Sequence, residues 1–383
     1  MSFEQSKRLQ ALPPYLFAEI DKKKKELRAQ NIDFVDVSIG DPDIPAPQGV
    51  LDVLYEASKI KGNQKYALDA GKPEFSAAIK KWFFSRFGVK LEEGEVLPLI
   101  GSKEGLVHFP LAFVNPGEYI IVPSPGYPGY RGAASFAGAK VYELPLKASN
   151  NFLPDLEKIP AKVCEKAKMI FLNYPNNPTT ALADMDFLKK LVDFCKKHNI
   201  IIAYDNAYSE VYFDEKPHSI LEVEGAKDIA IEFHSLSKTF CMTGFRVGWA
   251  CGNADLVKGL LRVKTNVDSG IFGAIQDAAA YALEKEMPYT DELRGKIKAR
   301  RDFFVKGLRK KGLKAKADST FYVWVKVPKP YGSIEFSQKL LAQRVVATPG
   351  IGFGKYGEGY IRFAMTVDIP VLEKALDMIN IGK

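Results

Sequence analysis

The 383-residue chain has only four cysteines and four histidines. No two cysteines have the C-x-x-C spacing of a metal or redox site, and a chain of this length does not need disulfides to hold its core. The histidines are scattered and form no metal-ligand pattern with the cysteines. The sequence therefore predicts reduced thiols, a cytoplasmic location and no metal site.

The chain also has no long apolar run, and we expect no leader. No apolar stretch is long enough to span a bilayer, and the polar N-terminus has no signal-peptide pattern. We therefore expect no membrane partner. The formal net charge is +8, spread along the chain rather than gathered in a tail, and it favours anionic ligands. Nucleic acid would be a second option, but no recognition motif accompanies the charge, so we expect none to bind.

What the chain does have is a series of apolar, strand-like runs that end in polar or glycine-rich loops and alternate with amphipathic stretches. Seven such runs stand out: Val96–Ile100, Tyr119–Val122, Lys140–Leu144, Met169–Leu172, Ile200–Tyr204, Ile229–Phe233 and Phe245–Cys251. Continuous apolar strands separated by helices predict an α/β fold with a mainly parallel seven-stranded sheet covered by helices. Ligands bind beyond the carboxyl ends of such strands.

The two ends of the chain have a different pattern. An arm with one helix and a short strand precedes the seven runs, and long helices, short strands and a further helix follow them. These elements are predicted at Tyr15–Arg28, Phe34–Ile39, Asp255–Lys311, Phe321–Lys326, Ser333–Gln343 and Tyr360–Ala364. The sequence therefore predicts an N-terminal arm with part of a small domain (1–45), a large domain (46–285) and a C-terminal small α+β domain (286–383).

The stretch His234–Gly248 has the strongest chemical signature. Lys238 lies on a predicted loop between two predicted buried strands, where dehydration lowers the pKa of an amine and makes it a nucleophile for carbonyls. Ser235, Ser237 and Arg246 are groups that hold a phosphate. A reactive lysine beside a phosphate cradle indicates pyridoxal phosphate (PLP). The alternative is a polar loop with an ordinary solvated lysine.

Two loops that follow other strands fit the same cofactor. Gly101–Gly105 opens a helix, whose free N–H groups bind phosphate, although a simple strand-to-helix turn is the alternative. Prolines on both sides stiffen the loop that carries Tyr127, which could stack on a flat ring. A packed loop tyrosine is the alternative there.

Polar residues at two further strand ends complete the pattern. Asn177 lies in a rigid loop with two prolines and could donate to a phenolate oxygen. Asp205 ends a wholly apolar strand, where a carboxylate is costly unless a cation such as a protonated pyridine nitrogen meets it. Tyr208 could reach the other side of the same ring. The alternative for Asp205 is a helix N-cap.

In chain order, these residues form one pattern: Tyr66, Gly101-Ser102-Lys103, Tyr127, Asn177-Pro178-Thr179, Asp205, Tyr208, Ser235-x-Ser237-Lys238, Arg246 and Arg362. The pattern resembles the class I and II, fold-type-I PLP-dependent aminotransferases over nearly the whole chain. The resemblance implies that Lys238 forms a Schiff base with PLP and then moves the substrate proton. It also implies that Asp205 keeps the pyridine nitrogen protonated.

The resemblance also implies the remaining roles. Asn177 and Tyr208 would bind the phenolate oxygen, and Tyr127 would stack on the ring. Tyr66 would reach the phosphate of the neighbouring subunit, which implies a homodimer with shared active sites. The residues implied to bind the phosphate of PLP are Ser102, Lys103, Ser235, Ser237 and Arg246. The residues implied to bind the carboxylate of the substrate are Arg362, Gly40 and Asn177.

Four stretches are similar to the LL-diaminopimelate aminotransferases: Pro14–Ile20, Ser38–Asp43, Gly101–Gly105 and Ser235–Thr239. That family transfers an amino group between LL-diaminopimelate and 2-oxoglutarate, a step toward lysine and the cell wall. The resemblance implies that Asp69, from the partner, and Tyr15 recognise the distal end of the substrate. A solvated turn residue and an arm-packing aromatic are the alternatives.

Other activities use much of the same pattern. Aminotransferases for aspartate, alanine or aromatic amino acids share most of these stretches, and a PLP β-lyase, decarboxylase or PLP-binding regulator would share the scaffold. Arg362 argues against decarboxylation, since it would hold the carboxylate that is lost. The chain departs from the family pattern at Thr180, usually glycine, and at Cys241, often asparagine. We expect these departures to affect loop geometry rather than the reaction.

Overall fold

The computed structural model describes residues 3–10, 12 and 16–382, with the backbone alone for residues 16–19. Its strands are β1 (Val35–Asp36), β2 (Val96–Leu99), β3 (Tyr119–Ser124), β4 (Lys140–Pro145), β5 (Ala167–Asn173), β6 (Ile201–Asp205), β7 (Ala230–Ser235), β8 (Gly248–Gly252), β9 (Lys314–Lys316), β10 (Tyr322–Lys326), β11 (Val345–Val346), β12 (Thr348–Pro349) and β13 (Tyr360–Ala364). Its helices are α1 (Lys7–Gln10), α2 (Leu16–Ala29), α3 (Gln48–Ser58), α4 (Pro73–Phe87), α5 (Ser102–Phe113), α6 (Gly129–Phe136), α7 (Ala161–Cys164), α8 (Met185–His198), α9 (Leu236–Thr239), α10 (Ala254–Val267), α11 (Gly273–Lys285), α12 (Met287–Lys310), α13 (Ser333–Ala342) and α14 (Ile369–Met378).

A seven-stranded sheet forms the centre of the molecule, in the order β2-β8-β7-β6-β5-β3-β4. β8 is antiparallel to both of its neighbours, and the other strand pairs are parallel. Alternate residues of β3 pack into two different cores, because helices cover both faces of the sheet: Ile121 lies in one core, and Ile120 and Val122 lie in the other. This explains the continuous apolar runs and confirms the predicted fold class.

The parallel strands end in register at one edge of the sheet. Asn173 at the end of β5 pairs with Asp205 at the end of β6, and Asp205 pairs with Phe233, two residues before Ser235. This register places the polar strand-end residues side by side. The strand predicted at Phe245–Cys251 begins three residues later, at Gly248, because residues 243–245 form a 3-10 turn and Arg246 adopts a left-handed conformation with φ of 54°.

A second, smaller layer of structure has its own core. The antiparallel sheet β12-β13-β10-β9 and the parallel pair β1-β11 pack with α12, α13 and α14. Val35 and Val37, from the start of the chain, are buried in this core. The segment 38–43 then leads from this core toward α3. Among the described residues, no helix is both long enough and apolar enough to cross a membrane.

Candidate active site

A cavity of about 450 Å³ lies at the carboxyl edge of the large sheet. It brings together twelve of the predicted site residues: Gly40, Ser102, Lys103, Tyr127, Asn177, Asp205, Tyr208, Ser235, Ser237, Lys238, Arg246 and Arg362. These residues come from five strand-end loops of the large sheet, the segment after β1 and strand β13. The cavity therefore lies where the general rule for parallel sheets places a ligand.

Lys238 lies on the short helix α9, not on the plain loop that the sequence suggested. Ser235 precedes this helix, and its hydroxyl accepts a hydrogen bond from the Ser237 N–H at 3.3 Å. The Lys238 ammonium donates to the Gly40 carbonyl oxygen at 2.7 Å and lies 5.4 Å from the Phe321 ring. Burial lowers the pKa of Lys238, because removal from water disfavours its charged form. These surroundings are those of a reactive amine rather than of a solvated lysine.

One end of the cavity fits a phosphate. The Ser237 hydroxyl is buried, and it has no hydrogen-bond partner among the described residues. Gly101, with φ of 76°, precedes α5, and a Cβ there would lie 3.2 Å from the guanidinium carbon of Arg246. A Cβ on Gly248 would lie 3.0 Å from the Ser102 nitrogen. The cradle for an anion consists of an unsatisfied hydroxyl, a guanidinium and a helix N-terminus. Gly101 and Gly248 have no side chain, which allows these groups to lie close together.

Asp205 lines the cavity and is 6% exposed. Its Oδ2 accepts a hydrogen bond from the Tyr130 hydroxyl at 2.6 Å, and its Oδ1 accepts one from the Ala207 N–H at 3.3 Å. Burial raises the pKa of Asp205 to about 6, and the bond from Tyr130 opposes that rise. The next helical turn begins only at Ile220, so Asp205 is not a helix N-cap. A buried carboxylate in this position fits a cationic ring nitrogen.

Arg362 and Tyr208 also line the cavity. The Arg362 guanidinium is buried, and it donates to Asn177 Oδ1 at 2.8 Å and to the Ser38 carbonyl oxygen at 2.7 Å. It also lies 4.1 Å from the Tyr322 ring, whose hydroxyl is 3.1 Å from that of Tyr208. These contacts fix the guanidinium in one orientation, as bidentate recognition of a carboxylate requires.

Tyr127 and Gly40 also line the cavity. The Tyr127 ring is half-buried and packs edge-on against Tyr130, with centroids 5.5 Å apart. Gly40 is required sterically, because a Cβ there would overlap the Tyr322 hydroxyl. The glycine thus allows its own carbonyl to approach Lys238.

Tyr66 and Asp69 lie outside this cavity. Both belong to the segment 65–71, which we call the Tyr66 loop, and the Tyr66 side chain is 98% exposed. Helix α11 holds the loop at both ends. Before the loop, Asn63 Nδ2 donates to Asp277 at 2.8 Å, and after it the Lys72 N–H donates to Gln276 at 2.7 Å. Tyr15 lies outside the described residues.

Three residues of the site were missed in the sequence. Tyr130 bonds to Asp205, Tyr322 packs against Arg362, and Asn173 donates from Nδ2 to the Asp205 carbonyl oxygen at 2.7 Å. Asn173 follows the apolar run of β5 directly, so its strand-end position was a usable signal. Tyr130 and Tyr322 lie within a helix and a strand, where no local feature separates them from core aromatics.

The comparisons with known proteins agree with this geometry. A family model for aminotransferase class I and II matches residues 32–379. The chain belongs to this family: it is a PLP-dependent aminotransferase of the fold-type-I class, acting on amino acids and 2-oxo acids.

Individual relatives are similar over the full length. The chain is 52% identical over 382 residues to an LL-diaminopimelate aminotransferase of Aquifex aeolicus, with 99% of each covered. A substrate-bound structure of BacF from Bacillus subtilis matches with a TM-score of 0.95 and 38% identity, covering 99% of this chain and 97% of that chain. A Thermus thermophilus aspartate aminotransferase with maleate matches with a TM-score of 0.93 and 28% identity, covering 98% and 99%.

Proposed function

We propose that the protein transfers an amino group between LL-diaminopimelate and 2-oxoglutarate. The products are glutamate and, after ring closure with loss of water, tetrahydrodipicolinate, and the reaction can run in either direction. The observation that carries the proposal is the 52% identity, over 99% of both chains, to an enzyme named for this substrate. The cavity, with one buried arginine and one buried amine, supports an amino acid as the ligand.

Lys238 would be the proton carrier. PLP, when bound, supplies a carbonyl carbon that amines attack and a protonated ring that withdraws electrons. The Lys238 amine, with its pKa lowered by burial, would remove the proton from the substrate Cα and return it at C4′ of the cofactor. The bond to the Gly40 carbonyl oxygen would orient the amine between proton transfers.

Asp205 and Arg362 would hold the two charged ends of the reacting system. Asp205 would keep the proton on the pyridine nitrogen, and Tyr130 would hold the carboxylate in place through its hydrogen bond. Arg362 would bind the α-carboxylate of the substrate, with Asn177 and the backbone at Gly40 beside it. Tyr208 and Asn177 would donate to the phenolate oxygen, and Tyr127 would stack on the ring.

The second subunit would complete the site. The Tyr66 loop presents an aromatic side chain that is 98% exposed, beside Leu68, which is 69% exposed. A loop anchored at both ends that carries exposed apolar side chains is a feature of interfaces rather than of a solvated turn. We propose that Tyr66 reaches the phosphate of the partner subunit in a homodimer, and that Asp69 on the same loop accepts the distal ammonium of diaminopimelate. Tyr15 would contact the same end of the substrate.

Two other features of the protein are proposed on the same basis. All four cysteines are free and buried, which supports a cytoplasmic location. The separate cores of the large sheet and of the smaller layer support a division into an arm with part of the small domain (1–45), a large domain (46–285) and a small domain (286–383).

The substrate proposal is tested by kcat/KM for LL-diaminopimelate, aspartate and alanine in the wild type and in Asp69→Ala. We expect diaminopimelate to be the preferred donor. Asp69→Ala should lower its kcat/KM by about 10²-fold or more, because its second ammonium would lose its acceptor, while the values for the other donors stay nearly unchanged.

A matched control is Glu74→Ala, which removes an exposed carboxylate in the first turn of α4. It should change none of the three rates. Equal losses for all donors in Asp69→Ala, or a wild type that does not use diaminopimelate, would overturn the substrate proposal and favour an aspartate- or alanine-type activity.

A further inference from the structure

Lys264 is a fully buried cation outside the cavity. It lies on α10, and its side chain has no exposed surface. Its ammonium donates three hydrogen bonds of 2.9 Å each, to Glu104 Oε1, Asp268 Oδ1 and the Ser269 carbonyl oxygen. A lysine ammonium has three donors, so all of them are used. Neither Lys264 nor its acceptors line the cavity.

One acceptor of Lys264 leads to the phosphate end of the cavity. Glu104 lies in the first turn of α5, and its other carboxylate oxygen accepts the N–H of Ile100. Between Ile100 and Glu104 lie Gly101, Ser102 and Lys103, the backbone that forms the anion cradle. Glu104 therefore connects Lys264 to both ends of the strand-to-helix turn that would hold the phosphate.

The other two acceptors lead to the Tyr66 loop. Asp268 and Ser269 directly precede Gly270, which packs closely on that loop. A Cβ on Gly270 would lie 2.8 Å from the Leu68 carbonyl carbon and 3.0 Å from that of Ala67. Any displacement of residues 268–270 toward the Tyr66 loop would therefore move the loop.

The charges around Lys264 resist separation of the phosphate turn from residues 268–270. Lys264 faces the carboxylates of Glu104 and Asp268, and His108 lies beside them, with Nδ1 3.7 Å from Glu104 and 3.9 Å from Asp268. Burial lowers the pKa of His108, so it adds no competing charge at neutral pH. If either carboxylate moved away, the buried ammonium would lose one of its two charged partners and one of its three hydrogen bonds, which is unfavourable.

We propose that Lys264 is a positioning residue that fixes, through one ammonium, both the phosphate turn of its own subunit and the Tyr66 loop that serves the partner's site. The inference rests on the shared active site proposed above. It adds a physical reason why the phosphate turn and the Tyr66 loop are both held in position. It predicts that one substitution affects two sites, one in its own chain and one across the interface.

The test uses hybrid dimers in which one subunit carries Lys238→Ala. Only the site with an intact Lys238 can give the absorption band of lysine-bound PLP. Lys264→Met is placed either in the subunit with the intact Lys238 or in its partner, and the PLP dissociation constant of the one competent site is measured from that band. The ³¹P resonance of the bound phosphate provides a second readout that does not depend on turnover.

We expect both placements to raise the dissociation constant by roughly 10–100-fold, by analogy with the loss of groups that orient the ligands of a metal ion. Lys258→Met, at an exposed position on the same helix, should have no effect in either placement. Gly270→Ala should act more strongly from the partner subunit than from its own, because its Cβ meets the Tyr66 loop directly and reaches Glu104 only through Lys264. If Lys264→Met fails to fold, Lys264→Gln, whose amide keeps part of the hydrogen bonding, is judged by the same criteria.

An effect from one placement alone, or from neither, overturns the proposal. The shared site is tested separately by Tyr66→Ala in the same hybrids. If Tyr66→Ala weakens PLP binding from the partner subunit and Lys264→Met does not, the shared site stands and the role of Lys264 falls. If Tyr66→Ala has no effect from the partner, the shared site itself falls.

Discussion

Asp205 is a single carboxylate held away from water with one hydroxyl and one N–H as its donors. A buried carboxylate without a cation is costly in its ionised form, and its raised pKa expresses that cost. PLP would supply the missing positive charge. The residue is therefore unfavourable for the cofactor-free protein and suited to the loaded one.

The stability of the cofactor-free protein should report this cost. The pKa of Asp205 is raised to about 6, above an unfolded value of about 3.9. The stability that this group contributes is complete below about pH 4 and is lost as the pH rises through about 6. Two pKa units correspond to about 3 kcal/mol. We expect Asp205→Asn to remove this loss, so that the free energy of unfolding of the variant, relative to wild type, increases by about that amount between pH 4 and 8.

Urea unfolding of both proteins at the two pH values measures the difference. The same substitution should lower kcat of the loaded enzyme by about 10²–10⁴-fold. Asp193→Asn, at an exposed position on α8, is the control and should change neither quantity. An Asp205→Asn protein with the pH dependence of the wild type would contradict the assignment.

The two departures from the family pattern have a common physical feature. Thr180 has φ of 64° and Cys241 has φ of 54°, so both are left-handed. Glycine and asparagine adopt this conformation more readily than threonine or cysteine, which explains the residues that the family prefers there. Thr180 is held by its neighbours: its hydroxyl accepts the Asp318 N–H at 3.0 Å, and its carbonyl accepts the Ser319 hydroxyl at 2.7 Å.

At the scale of elements, the turn from β2 into α5 depends on one glycine. Gly101 has a positive φ, and its α-carbon faces the Arg246 guanidinium so closely that a side chain would displace it. The backbone conformation and the anion cradle therefore require the same residue.

Gly101→Ala should weaken PLP binding by about tenfold or more and destabilise the protein by about 1–2 kcal/mol, because a Cβ is unfavourable at this φ and pushes Arg246 away. A PLP titration and thermal unfolding measure the two effects. Gly132→Ala in α6 is the matched control, since a Cβ there meets nothing within 4 Å. It should leave PLP binding unchanged and raise stability slightly. Unaltered PLP affinity in Gly101→Ala would refute the cradle.

The sequence predicted the positions of the strands better than their directions in the sheet or their long-range contacts. Mostly apolar runs identified all seven strands of the large sheet. In the inner strands β3, β5, β6 and β7, burial on both faces removes polar alternation. The antiparallel direction of β8 was not predictable, since hydrophobicity carries no information on direction. Lys238, Asp205 and Arg246 were recognisable because they are charged groups at a strand end or in a loop next to apolar runs. The hydrogen bond from Tyr130 to Asp205 joins residues 75 apart, and only the folded chain reveals it.

At the scale of the whole molecule, the cavity of one chain contains twelve predicted site residues, while Tyr66 and Asp69 lie on a loop outside it. The resemblance to a family with shared sites predicted this separation, and composition alone could not. A dimer would bring the two parts together.

Mixing two inactive variants should show whether each active site is shared between two subunits. Lys238→Ala and Tyr66→Ala chains should each be inactive alone, and Lys238→Ala should also lose the band of lysine-bound PLP. Random mixing of the two should restore about a quarter of wild-type activity, since half of the dimers are hybrids and each hybrid has one site with both residues. Transamination is measured after subunit exchange has been confirmed by mass. No recovery after exchange would favour a site formed by one chain.

The segment after β1 also determines how late during synthesis the cavity can form. The Ser38 carbonyl oxygen accepts from Arg362 and from Thr348, and the Ile39 carbonyl oxygen accepts from Thr366, partners 310 to 327 residues away in the chain. At ~5–20 residues per second, a ribosome needs roughly 15–65 s to make the intervening chain. The segment that lines the cavity is thus synthesised long before the residues that hold it in place. The large sheet, complete by Gly252, can form while later residues are still being synthesised, whereas the part of the cavity that contains Arg362 can close only after Thr366 has been made.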